Sequence, residues 1–231
     1  MADVAAFDFD GTLTRGGSVV PFLAWVRGPW PVLGALVADS PKLLRAALFG
    51  GLAADRAKEA LFVRVLAGLP AAEVDRAGAR FARDHLRRRI RPEVRARLEW
   101  HRRQGHRVLI VSASPECYVG PAGEELGADG VLATRLAVDA GGNLTGRYQG
   151  ANCRGAEKYS RTMAWIGANG FGTDSDRPTL WAYGNSRGDL GLLGAADHGV
   201  DAGQLGRFGR LRRFPSLTAV DWPGSEGRTP G

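Results

Sequence analysis

Val4-Ala5-Ala6-Phe7-Asp8-Phe9-Asp10-Gly11-Thr12 is the stretch that decides the reading of this chain. Four apolar residues run straight into two carboxylates separated by one position. A short apolar run bounded by polar residues fits a strand buried on both faces, as in a parallel sheet. Two aspartates at its end are costly as mere structure. Their charges repel, and partial burial raises the pKa of at least one. A divalent cation relieves both problems. Side chains alternate along extended chain, so Asp8 and Asp10 point roughly the same way. One can act as a nucleophile toward phosphorus while the other handles the leaving-group proton. Gly11 permits the tight turn that brings backbone close to an anion. The plainer alternative is a turn after a strand, with both carboxylates solvated.

Working outward, 231 residues suit one α/β domain with a modest insertion. From about Val19 to Arg89 the pattern is helical: Leu43, Leu44, Ala47 and Leu48 recur at helical spacing, as do Ala57, Leu61, Val65 and Leu66. Strand signals are absent there, which predicts an inserted helical subdomain. Pro92 sits near the start of a further helix, with Val94, Leu98 and His101 on one face. Arg107 to Val111 is the clearest strand and delivers Ser112 at its end. Leu136–Val138 and Leu144–Tyr148 flank a glycine turn as a hairpin. Lys158 to Ile166 reads as a helix, and Leu180 to Tyr183 as a strand ending in Gly184-Asn185. This alternation predicts a doubly wound parallel sheet, with ligands bound beyond the carboxyl ends of its strands. Asp8, Ser112 and Asn185 all fall there. Residues 222–231, rich in Gly and Pro, are expected to form a disordered tail.

Asp8-Phe9-Asp10-Gly11-Thr12-Leu13-Thr14 resembles the first motif, DxDGT, of the haloacid dehalogenase superfamily. The resemblance implies that Asp8 forms an aspartyl-phosphate, and that Asp10 protonates the leaving oxygen and then activates water. It also implies Mg²⁺, bound in part through the Asp10 main-chain carbonyl, and phosphate cradled near Gly11 and Thr12. Ser112 and the Ala113 amide match the second motif, which holds phosphate oxygens; the alternative for Ser112 is a helix N-cap. Lys158 matches the third, which neutralises phosphate and the attacking carboxylate; the alternative is a solvated helical lysine. Gly184-Asn185-Ser186-Arg187-Gly188-Asp189 matches the fourth, which supplies metal-binding oxygens. The implied metal set is therefore Asp8, Asp10, Asn185 and Asp189. Phosphoserine phosphatases carry Asp where this chain has Asn185, so weaker Mg²⁺ binding is expected. The resemblance extends to the phosphoserine-phosphatase-like branch, subfamily IB. It implies a Rossmann-like core over 1–15 and 91–221 and a type C1 helical cap over 16–90.

A cap of this kind shapes the pocket and excludes water, so specificity is expected to lie there. The phosphoserine enzymes place a glutamate nine residues after the nucleophile; here that position is Gly17, which argues against phosphoserine. Arg56, Lys58 and Arg64 are candidates for an anionic substrate, although such charges are more often a solvated helix face. Trp25, Trp30, Phe22 and Phe49 make the cap apolar. Packing within the cap is the favoured explanation; a pocket for a hydrophobic or lipidic phosphate at a membrane surface is the sharper one.

The net charge of +7 favours anionic partners in general. No aromatic-interleaved basic stripe is present, so no nucleic-acid partner is expected. Arg207 to Phe214 is basic and amphipathic and reads as a solvated element. His85, His101, His106 and His198 lack metal-ligand spacing and read as surface or helix residues. Cys117 and Cys153 read as reduced thiols, and no signal segment is visible at Met1-Ala2-Asp3-Val4, so a cytoplasmic enzyme is the expectation. The substrate expected is a small-molecule phosphate monoester. Phosphotransfer to another acceptor and a non-catalytic phosphate-binding protein stay open as alternatives.

Overall fold

The computed structural model describes residues 2–49, 51–172, 177–203 and 213–220. The tail expected over 222–231, most of the basic stretch Arg207–Phe214 and the side chain of Phe49 lie outside the described residues. Strand β1, Val4–Phe7, is the centre of a five-stranded parallel sheet. It pairs on one side with β2, Arg107–Pro115, which pairs in turn with β3, Gly130–Thr134. On the other side lie β6, Leu180–Gly184, and then β7, His198–Asp201. The α/β reading therefore holds. Two strands, β3 and β7, were not legible in the sequence.

Every residue of β1 is fully buried, and alternation divides them between the two faces of the sheet. Ala5 and Phe7 join the larger core with Val108 and Ile110; Val4 and Ala6 join the smaller with Leu109, Val111, Leu180 and Ala182. The smaller core is closed by α8, Ala156–Ala168, and α9, Leu190–Ala195, through Ile166, Leu192 and Leu193. The larger is closed by α6, Pro92–Arg103, and α7, Glu116–Leu126. Pro92 starts α6, and Val94, Leu98 and His101 are all fully buried. His101 donates to or accepts from Tyr183 Oη at 2.8 Å, and burial pushes its pKa down to about 3. It is a packed core histidine.

Between Thr14 and Ile90 the described residues form five α-helices: α1, Val19–Arg27; α2, Pro29–Ala38; α3, Ser40–Phe49; α4, Gly51–Leu66; and α5, Ala71–Asp84. In α5 the buried residues Val74, Ala77, Gly78, Phe81 and Ala82 recur at helical spacing and face α7. Gly78 lets the two backbones meet: a Cβ there would lie 2.2 Å from the Cys117 carbonyl oxygen. The insertion enters and leaves through one neck. Thr14 and Ile90 form an antiparallel bridge, the Arg15 N–H donates to Arg89 C=O, and the Arg91 N–H donates to Leu13 C=O. A hairpin of β4, Leu136–Val138, and β5, Leu144–Tyr148, packs against α4, as its glycine turn forecast. No helix of the described residues is long and apolar enough to cross a membrane.

Candidate active site

The sheet register brings the functional residues to one edge. Phe7 pairs with Ile110 on one side and Tyr183 on the other. Asp8 therefore stands level with Val111 and Gly184, the residues immediately before Ser112 and Asn185. Strand order reverses around β1, and this is where open α/β sheets place ligands. A cavity of about 110 Å³ opens there, lined by Asp8, Asp10, Ser112, Ala113, Arg154, Lys158, Ser186, Gly188 and Asp189.

Lys158 is the hub. It lies in the first turn of α8, is fully buried, and donates to Asp8 Oδ1 at 2.5 Å and to Asp189 Oδ1 at 2.6 Å. A buried ammonium between two buried carboxylates is held charged, its pKa raised above the usual lysine value once the anions outweigh its desolvation. A solvated helical lysine is thereby ruled out. Burial and the nearby Asp189 push the Asp8 carboxyl up, against the pull of Lys158. For Asp189, Lys158 and the Ser186 donors outweigh burial and hold the carboxylate below its ordinary range.

Asp189 is fully engaged. Its Oδ2 accepts from the Asn185 and Ser186 N–H groups, at 3.1 and 2.9 Å, and from Ser186 Oγ at 2.7 Å. This capping box pins the turn that carries Asn185. The Gly155 N–H donates to Gly188 C=O at 2.8 Å and ties the start of α8 to the same turn. Asn185 Oδ1 is buried with no hydrogen-bond partner, as are Asp10 Oδ1 and Thr12 Oγ1.

The loop after β1 is shaped to keep these atoms close. The Thr14 N–H donates to Phe9 C=O, closing a one-turn loop, and Gly11 at its apex has φ of +79°. A Cβ on Gly11 would sit 2.0 Å from Asn185 Nδ2. Gly11→Ala is therefore expected to destabilise the fold by about 2 kcal/mol or more, combining a left-handed backbone with a clash. Urea unfolding measures it; an unchanged midpoint would contradict the packing of Asn185 on Gly11. Arg91, a residue that sequence reasoning passed over, staples this loop from beneath. Its Nη1 donates to the carbonyls of Gly11 and Thr12, at 3.0 and 3.1 Å, and to that of Ala202.

Asp10 Oδ2 accepts a hydrogen bond from Ser114 Oγ, and burial raises its pKa despite that bond. Ser112 Oγ is buried and accepts from the Ser114 N–H at 3.0 Å. It does not cap α7, which starts after Pro115 without a side-chain cap. The Ala113 carbonyl accepts from Lys58 Nζ at 2.7 Å.

Lys58 belongs to α4, so the insertion reaches the cleft. Its ammonium also donates to Asn152 Oδ1 at 3.1 Å, and burial lowers its pKa to about 8. Of the three basic residues singled out in the insertion, Lys58 alone is there: Arg64 pairs with Asp39, and Arg56 is exposed. Arg154, read only as part of the Lys158 segment, lines the cavity and pairs with Asp55 of α4 at 3.3 Å. Asn152 Nδ2 donates to the same Asp55 carboxylate at 2.7 Å. Cys153 is buried, with its thiol raised to about 11, so it is no nucleophile.

A family model described as haloacid dehalogenase-like hydrolase matches residues 5–194. Protein CicA of Caulobacter vibrioides is 34% identical over 203 residues, covering 84% of this chain and 83% of that one. A Bordetella pertussis Tohama I structure, described as a protein with unknown function, has a TM-score of 0.77 at 21% identity, covering 94% of this chain and 98% of that one. A substrate-bound phosphoserine phosphatase complex has a TM-score of 0.61 at 20% identity, covering 87% of this chain and 85% of the other. At those identities the two structures speak to the fold alone.

Proposed function

The chain belongs to the haloacid dehalogenase-like hydrolases, and on that footing we propose that it hydrolyses a small-molecule phosphate monoester through an aspartyl-phosphate on Asp8. The observation that carries this reading is Asp8 at the end of the central strand, in a small polar cleft, held by a buried Lys158 that Asp189 positions. An Asp8 oxygen attacks phosphorus, the ester P–O bond breaks, and the leaving oxygen takes the Asp10 proton. The raised pKa of Asp10 suits a group that must arrive protonated. In the second half Asp10 takes a proton from water, the water oxygen attacks phosphorus, and the bond to Asp8 breaks to release phosphate. Lys158 and the Ser112 hydroxyl stand beside the cavity where phosphoryl oxygens would sit. Turnover of an aryl phosphate, compared between wild type and Asp8→Asn, tests the reading.

The donors here suit Mg²⁺, which prefers oxygen. Asp8, the Asp10 main-chain carbonyl and the unpartnered Asn185 Oδ1 would hold it, with Asp189 supporting from behind because both its oxygens are occupied. When bound, the ion would supply charge neutralisation as nucleophile and phosphate approach. An amide ligand brings no charge, so Asn185→Asp is expected to tighten Mg²⁺ binding about tenfold, measured calorimetrically. Tight binding indifferent to this change would remove Asn185 from the ligand set.

Gly17 is exposed, with open space around it, and offers no carboxylate for a substrate amine. This supports a substrate other than phosphoserine. Lys58 fits a contact to the substrate beyond its phosphate. Lys58→Met removes charge-assisted hydrogen bonds and is expected to lower kcat/KM by about 10- to 100-fold. A loss below twofold would show that Lys58 serves packing alone.

A further inference from the structure

We propose that Tyr118 is a positioning residue for Asp10, acting through the hydroxyls of Ser18 and Ser114. The inference rests on the reading of Asp10 as acid and base given above. A phenol is an unexpected side chain for the place it occupies. Tyr118, in the first turn of α7, is fully buried. Its ring packs on Phe22 of α1 and Phe81 of α5, with centroids 4.6 and 5.5 Å apart. Phenylalanine would fill that aromatic cluster equally well. A hydroxyl buried there costs free energy unless it is hydrogen-bonded, so its partners decide what it is for.

Those partners lead to the cleft. Ser18 Oγ donates to Tyr118 Oη at 2.9 Å, and Ser114 stands beside the same phenol. Tyr118 accepts from Ser18, which leaves its own proton to be given toward Ser114. Ser114 Oγ in turn donates to Asp10 Oδ2. Ser18, Ser114 and Tyr118 are all buried, so bulk water does not compete for these bonds. Hydroxyls joined in such a run strengthen one another, because each one that accepts becomes a better donor.

The run ends in a way that suits positioning. It grips one oxygen of Asp10 and leaves the other: Oδ1 is buried without a hydrogen-bond partner among the described residues, and Asp10 lines the cavity. A carboxyl held at one oxygen cannot turn its free one away from the leaving group without breaking the bond to Ser114. The Ser114 backbone is fixed as well, since its N–H donates to Ser112 Oγ at 3.0 Å. The acid and the hydroxyl beside the phosphate cavity thus share one anchor. The insertion takes part from the other end. Ser18 immediately precedes α1, and Gly78 of α5 lies against the Cys117 carbonyl, one residue before Tyr118. Asp10 is thereby set from both the core and the insertion.

The test is kcat/KM of the full chain with Mg²⁺ on two esters, 4-nitrophenyl phosphate and phenyl phosphate. Nitrophenolate leaves readily without a proton and phenolate does not, so the second ester draws far more on the acid as its P–O bond breaks. General acid catalysis contributes about 10²- to 10⁴-fold, and a loosened acid should forfeit part of that. Tyr118→Phe should therefore lower kcat/KM on phenyl phosphate about tenfold more than on 4-nitrophenyl phosphate. Ser114→Ala, which removes the direct bond, should show a bias of about 30-fold, and Ser18→Ala, at the far end of the run, about threefold. Tyr118→Phe keeps the ring, so its urea unfolding midpoint should stay near that of the wild type; the two serine variants leave the aromatic cluster untouched and read the same bias independently. Equal losses on the two esters would overturn the proposal and leave the hydroxyls a packing role. An unchanged ratio in Ser114→Ala would overturn it as well. A wild type that hydrolyses neither ester would remove the reaction itself, and this role with it, before any variant is made.

Discussion

Asp8→Asn is expected to give a folded protein whose turnover falls by about 10⁴-fold or more, the loss typical when a covalent nucleophile is removed. The geometry makes the variant a clean one. Asparagine has nearly the same shape, so the cavity and the strand end are undisturbed. The lost charge is a buried one that desolvation and Asp189 already disfavour. Lys158 keeps its second partner, Asp189 at 2.6 Å, so no buried ammonium is orphaned. Stability should therefore change by no more than about 1 kcal/mol. Steady-state rates on an aryl phosphate with Mg²⁺, with a thermal melt alongside, measure both halves. A variant that keeps a tenth of the wild-type rate would sink the assignment of Asp8 as nucleophile. A wild type inactive across a broad phosphate panel would favour a phosphate-binding protein.

Lys158→Met should harm both folding and chemistry. Methionine fills similar volume, so the effect is one of charge. Asp8 and Asp189 would then share a buried site with no cation between them, and breaking a buried pair costs about 3–5 kcal/mol. Activity should fall by about 10³-fold or more, since a preorganised charge beside the phosphate is lost. The double variant Asp8→Asn/Lys158→Met separates repulsion from packing. Removing one carboxylate should restore about 1–2 kcal/mol relative to Lys158→Met alone. Chemical denaturation in the presence of a chelator gives these values directly. If the double variant is less stable than either single one, packing rather than charge dominates the site.

What the sequence revealed follows from how local each signal is. Strands β1, β2 and β6 carry unbroken apolar runs because both of their faces are covered. At the sheet edges the signal fails. Strand β3 opens on Gly130, where a Cβ would collide with the Trp165 ring, and β7 opens on the exposed His198 and on Gly199. Their places are set by packing partners far along the chain. The same holds in the cleft. Asp8 and Asp10 stood out because they sit in a short pattern with its own chemistry, whereas Ser112 and Lys158 were picked out through their resemblance to the family's motifs. Lys58 reaches Ala113 across 55 positions, and Arg91 reaches Gly11 across 80. No periodicity records such contacts, and a lysine on a helix reads as solvated until the partner beneath it is known. Asp189 shows a third case. Its position was found, but that its two oxygens are taken up by Lys158, Ser186 and backbone is a matter of tertiary geometry.

The paired neck at Thr14 and Ile90 has a consequence for how such a chain can change over generations. Where two crossings of the backbone are hydrogen-bonded to each other, everything between them is closed off at its base like a purse on a drawstring. The central sheet keeps its register through its own strand pairing, and the bridge closes the base of the insertion without drawing on how far the helices beyond it extend. The exposed faces of those helices can be rewritten without moving Asp8 from its level beside Val111 and Gly184. The reaction and the choice of molecule it acts on are thus free to be inherited separately. The inner faces of α4, which sends Lys58 and Asp55 back to the cleft, and of α5, which packs on α7, still have to answer to both.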